Sequence, residues 1–195
     1  MPPRLRYRTF FILLALALAA GCKFNFGDDT SDANKLINEA NQAIVEADKM
    51  SQDAYAKFRS YMNEQTMRNF PDNRDEIRPT ARESADLFAK SAATYRDQVV
   101  NKFEGASKMD LNEKFKEYIT LKVAAFKKLA ESKEIAGELA QVPLDASLTT
   151  RDELFAKVQQ VDARLNAVVK EMQEINDRAN KIQQDNPGLI SKPQQ

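Results

Sequence analysis

The chain has 195 residues, with 29 basic and 29 acidic side chains, one cysteine, no tryptophan and no histidine. Without histidine it has no Ser-His-Asp or Cys-His nucleophile system, no His-Glu-x-x-His zinc site and no Glu-x-x-His pair of a di-iron bundle. The balanced charge argues against a nucleic-acid partner, which needs a basic patch, and one cysteine cannot form an internal disulfide.

Glycine and proline are sparse, five and seven in all, while alanine, lysine, glutamate and glutamine abound. This composition predicts an all-α fold with long helices. It contains no Gly-x-Gly-x-x-Gly and no P-loop, and no cofactor is expected.

The chain opens with Arg4, Arg6 and Arg8, followed by an unbroken apolar run of eleven residues, Phe10 to Ala20. A basic segment, an apolar segment and small residues before a break make a secretory signal peptide. A membrane-spanning helix needs about 20 apolar residues, so this run is too short to be a stable span. It ends in Leu18-Ala19-Ala20-Gly21-Cys22, the small residues leading straight into the one cysteine. This stretch resembles the lipobox of bacterial lipoproteins, although Ala19 stands where leucine is commonest. The resemblance covers Met1 to Cys22 only. It implies cleavage after residue 21, lipidation of Cys22 and a membrane anchor. The competing reading is an ordinary cleavage site that leaves a soluble secreted protein. Lys23, rather than aspartate, follows the cysteine. By the best-known lipoprotein sorting rule, that implies the outer membrane, facing the periplasm.

Beyond Cys22 the chain carries 26 basic and 29 acidic side chains, since three of the arginines lie in the leader. Residues 22–30 are expected to form the lipidated N-terminus and a tether. Its last eight residues reach at most about 28 Å. Phe24 and Phe26 either dip into the headgroup region or pack on the end of the domain.

The domain itself is expected over 31–186, as an elongated antiparallel up-down-up-down bundle of four helices. The first helix, 31–70, has a seam of Ile37, Ala40, Ile44, Ala47, Ser51, Ala54, Phe58, Tyr61 and Gln65, alternating steps of three and four. It should stop before Pro71. The second, 80–104, carries Ala81, Ala85, Phe88, Ala92, Tyr95, Val99 and Phe103, with Gly105 as its stop. Asp110 to Glu113 reads as the cap of the third, 111–141, whose apolar face includes Phe115, Ile119, Val123, Phe126, Leu129 and Ile135. Thr150 and Glu153 form a capping box for the fourth, 151–185. Its seam of Leu154, Val158, Val161, Leu165, Val168, Met172, Ile175, Ala179 and Ile182 never slips. Residues 187–195 read as a disordered tail.

An even number of helices returns the C-terminus to the anchored end and points the other end about 50 Å away. The regular fourth seam also allows a dimer through 151–185, the alternative to the expected monomer. Leu87-Phe-Ala-Lys90 recurs as Leu154-Phe-Ala-Lys157, but in a different helical register, which favours coincidence over duplication.

Four acidic pairs lie at helical spacing: Glu83 with Asp86, Glu113 with Glu117, Glu134 with Glu138, and Glu171 with Glu174. Paired carboxylates can bind Ca²⁺ or work as acid and base. None sits in an apolar stripe, and lysines such as Lys127, Lys128 and Lys133 lie among them, so they read as solvated faces. Met50, Met62 and Met67 with Tyr61 read as core filler before they read as an adaptable binding surface. Cys22 is the single predicted site residue; no catalytic or metal-binding residue is expected. The functional expectation is a membrane-anchored, non-enzymatic interaction or structural module with an envelope protein partner. The alternative is a bundle that binds a lipid or another hydrophobic ligand.

Overall fold

The computed structural model describes residues 29–187. Cys22, the leader, the tether up to residue 28 and the tail after residue 187 lie outside the described residues. Those described are all-helical apart from turns and loops, with no strand.

The clearest agreement is at the C-terminal helix, Arg151–Asp185, which we label α6. Thr150 takes extended backbone and its hydroxyl accepts from the Glu153 N–H, while the Glu153 carboxylate accepts from the Thr150 N–H at 3.0 Å. This closes two of the free donors at the helix start. Leu154, Val158, Val161, Leu165, Val168, Met172 and Ala179 are buried, as the seam requires. Ile175 and Ile182 are only partly covered. The repeated Leu-Phe-Ala-Lys segments differ as their registers demand: Phe88 is buried, whereas Phe155 is half-buried beneath the Arg151 guanidinium.

The first helix is shorter than its pattern. α1 runs Thr30–Tyr61, and a separate turn, α2, runs Glu64–Met67. Asn63 breaks the run by taking extended backbone and accepting the Thr66 N–H on its side chain at 2.9 Å. Asparagine competes with the helix for backbone donors in this way, so it caps a new turn rather than continuing the old one. Gln65, placed on the predicted seam, is exposed as a result.

The second helix starts earlier and ends later than expected. α3 covers Arg74–Thr94, with Pro79 inside it. Pro79 is the sixth residue of this helix, after the backbone ladder has begun with the Ile77 N–H on the Asn73 carbonyl, so it forgoes one ladder bond in the second turn. A π-helical turn, Tyr95–Val100, then leads into α4, Asn101–Ser107. Gly105 is therefore inside a helix rather than beyond it. A Cβ at Gly105 would sit 3.2 Å from Leu36 Cδ1, so the glycine serves the close approach of α1. α5 covers Glu113–Gln141 and is capped by Asn112, whose side chain accepts the Lys114 N–H. Asp110 is not the cap; its own N–H donates to Asp29.

α1 packs along α3 and α4, α3 along α5, and α5 along α6, while α1 and α6 make little close backbone contact. The α1–α3 interface is built from small residues. Ala40, Ala47 and Ala54 on α1 and Ala81, Ala85 and Ala92 on α3 are buried. The backbones approach closely enough for Ser84 Oγ to donate to the Ala54 carbonyl and Ser91 Oγ to the Ala47 carbonyl, each at 2.8 Å. Two connected cores result. One holds the early part of α1 with α4, the start of α5 and the end of α6; the other holds the late part of α1 with α3, the end of α5 and the start of α6.

Candidate functional site

The interior is not wholly apolar. At mid-length a polar group gathers around the π-helical turn. A π turn takes more residues per revolution than an α turn, so the four-residue steps Tyr95, Val99 and Phe103 stay on one buried face. Tyr95, 1% exposed, donates its hydroxyl to Asp48 Oδ1 on α1 at 2.5 Å. Burial, with the Asp48 charge behind it, holds the Tyr95 phenol far above its ordinary pKa. It stays protonated and acts as a donor, not as a base.

Lys133 on α5 lies at the same level. Its Nζ is 5.9 Å from the Tyr55 ring centre, within cation–π range. Burial pushes the Lys133 ammonium below its ordinary pKa, and the Asp48 carboxylate opposes that shift. Tyr55, half-buried and packed edge-on against Phe88 at 4.8 Å, has its phenol pushed up to about 12, first by burial and then by the Asp162 charge. Asp162 on α6 is itself raised by burial, against a hydrogen bond donated by Asn166. Asp48, Tyr55, Tyr95, Lys133 and Asp162 thus bring α1, the π turn, α5 and α6 into one electrostatic neighbourhood.

A second polar element lies further along α5, towards its start. Lys122 on α5 is 2% exposed. Its Nζ donates to Asn176 Oδ1 on α6 at 2.6 Å and lies 5.4 Å from the Tyr118 ring centre. Burial lowers its pKa to about 8, and no charged neighbour contributes to the shift.

The predicted site residues fare differently. Cys22 lies outside the described residues. The acidic pairs do not converge on a site. Glu83 pairs with Lys57, Glu117 with Lys114, Glu134 with Arg96, Glu138 with Arg164 and Glu171 with Lys128, all as surface ion pairs. Among the described residues no cluster of acidic side chains is arranged to hold a metal. Met62, Met67 and Tyr61 are buried, which makes them core; Met50 is half-buried.

The lysines of α5 are where the expectation fails. They read in sequence as a solvated face, yet Lys122 is fully buried and Lys133 half-buried. Both lie at helical spacing from Ile119, Phe126 and Leu129, so the apolar stripe itself contained the signal. A polar residue inside such a stripe marks a buried polar group as readily as the edge of the stripe.

Comparison of the chain with protein families, with curated proteins and with solved structures finds no match.

Proposed function

We propose that the protein is a lipid-anchored component of the bacterial cell envelope, working as a non-enzymatic helical interaction or structural module. The observation that carries this reading is Leu18-Ala19-Ala20-Gly21-Cys22 behind three arginines and an apolar run. In this reading Cys22 becomes the first residue of the mature chain and bears the acyl groups. Two or more chains hold a protein stably on a bilayer, where one holds it only marginally. Among the described residues no helix is long and apolar enough to cross a membrane. Lys23 after the cysteine supports the outer membrane, with the helices in the periplasm.

The helical runs are proposed to form an up-down-up-down bundle. Three sets of contacts support the successive reversals. Leu36 lies beside Gly105 while Ala54 meets Ser84; Glu104 pairs with Lys127 while Arg96 pairs with Glu134; Lys122 meets Asn176 while Glu138 pairs with Arg164. In each set one helix rises in number as its neighbour falls. At about 1.5 Å per residue, α6 is about 52 Å long, enough to present a long face to a partner helix in the envelope. The buried seam of α6 favours a monomer over a dimer through that helix.

The test is metabolic labelling with a radioactive fatty acid, followed by membrane fractionation and a high-salt wash. Wild-type protein should take up label and stay with the membrane. Cys22→Ala should lose the label and its stable membrane association while keeping its helical circular dichroism. Wild-type protein that takes no label and washes free would overturn the anchor.

A further inference from the structure

The helix ends fall into two groups. The Asp29 carboxylate accepts the Asp110 N–H at 2.9 Å, so the start of α1 lies on the connection between α4 and α5. The Lys122–Asn176 pairing, continued one residue of α5 for one of α6, brings Asp185 level with Glu113. One end of the bundle therefore carries the first turn of α1, the connection 108–112 and the last turn of α6. The other carries α2, the start of α3 and the connection 142–150, where Arg74 Nε donates to the Pro143 carbonyl at 3.1 Å. The length of α5, 29 residues or about 43 Å, separates the two.

The seven steps of chain from Cys22 to Asp29 reach at most about 25 Å. A chain acylated at Cys22 keeps the first of these ends within that distance of the bilayer. Whether the second end comes down as well depends on what the sides of the bundle offer to lipid. Among the described residues Val45 is the one large hydrophobic side chain left exposed. The sides carry ion pairs that cross between helices, Lys57 with Glu83, Arg96 with Glu134, Lys127 with Glu104 and Arg164 with Glu138. Pressing these pairs against a bilayer costs hydration and returns little apolar burial. The anchored end differs. Met109 packs on the core but stays partly covered, and Lys108 beside it is exposed. Their backbone N–H groups are already taken, by the Gly105 and Ala106 carbonyls. A methionine beside a lysine suits the headgroup zone, where a basic stem lies on apolar surface with its ammonium among the phosphates.

We propose that the connection 108–112, with the first turn of α1 and the last turn of α6, is the face the protein turns to phospholipid headgroups. The bundle is then held end-on, with the connection 142–150 about 43 Å further out. The inference rests on acylation at Cys22 and adds to it the contact surface and the orientation.

The experiment uses the full chain, expressed in bacterial cells, purified from their membranes and returned to vesicles of phosphatidylethanolamine and phosphatidylglycerol. A donor dye is attached at Lys108→Cys, Val45→Cys or Ala146→Cys, all exposed positions, and the acceptor sits on a lipid headgroup. An acylated Cys22 has no free thiol, so the dye goes to the new cysteine alone. Flotation with the vesicles is measured first. Energy transfer from residue 108 should exceed that from residue 146 at least about threefold, given the separation of about 43 Å, with residue 45 between them. The dye at residue 108, unlike that at 146, should be shielded from an aqueous collisional quencher. Equal transfer from 108 and 146 in a floating protein would mean that the bundle lies flat, and would overturn the proposal while leaving the anchor intact. A dye at 108 as open to the quencher as one at 146 would refute the contact. Protein that does not float with the vesicles would refute the anchor, and the proposed face falls with it.

Discussion

Replacing Lys122 by methionine should stabilise the protein, and the gain should depend on pH in a defined direction. Lysine has an ordinary pKa of 10.5 when unfolded, and burial brings it to about 8 in the fold. The folded pKa is therefore the lower one. Below about pH 8 the side chain is charged in both states, and the fold bears the whole cost of burying the charge. Between about pH 8 and 10.5 the unfolded chain holds the proton that the folded chain has released, so wild-type stability rises with pH. Above that window the cost is gone. A fall from 10.5 to about 8, at about 1.36 kcal/mol per pH unit, gives a penalty of about 3 kcal/mol at neutral pH. Methionine matches the length of the stem and removes the charge. Asn176 loses its partner, but it is half-buried and water can replace the bond. A net gain of about 1–3 kcal/mol remains, a rise of roughly 3–10 °C in Tm for a domain of this size. The assay is thermal unfolding by circular dichroism at 222 nm for both proteins from pH 6.5 to 10.5. The difference in Tm should be largest below pH 8 and shrink towards the alkaline limit. A variant less stable than wild type at pH 7, or a difference that ignores pH, would refute the reasoning.

Val161 is buried mid-seam on α6, so Val161→Asp should cost several kcal/mol, whereas Asp162→Ala should leave the melting temperature equal or raised because burial already disfavours that carboxylate. Equal losses in the two variants by thermal unfolding would show the seam to be misplaced. Tyr95→Phe removes the donor to Asp48 beside the π turn and should lower stability by about 1.5–3 kcal/mol, the usual worth of a hydrogen bond to a charged group. Urea unfolding checks this, and in a double-mutant cycle with Asp48→Ala the two losses should not add.

What the sequence revealed of the fold depended on how local the cause was. α6 was legible from end to end because its capping box, its unbroken three-four spacing and its closing Asn186-Pro187 all lie within the segment. The ends of α1 and α3 were not, because Asn63 and Pro79 each admit two outcomes. Asn63 could sit on a helix surface or cap a new turn, and Pro79 could stop a helix or ride in its second turn. Tertiary packing decides between them. The π turn was hidden for the opposite reason: the stripe Tyr95, Val99, Phe103 was correct, and only the winding that keeps it in phase was invisible. Lys122 and Lys133 were misread because nearby glutamates suggested a solvated surface. Their neighbours, Asn176 for Lys122 and Tyr55 and Asp48 for Lys133, come from other helices and share no spacing with them in the chain.

The hydroxyl bonds across the helices have a mechanical consequence. Ser84 and Ser91 bind carbonyls of α1, and Tyr61 on α1 donates to the Ala140 carbonyl on α5 at 2.7 Å. Bonds of this kind lie across the helix axes, so sliding shears them together while peeling stretches them in turn. A pull along α1 from residue 29 loads all three at once, and they must yield together. A sideways pull that peels α1 away loads them one after another and needs far less force. The helices therefore resist tension along their length and give way to leverage across it, as a strut does.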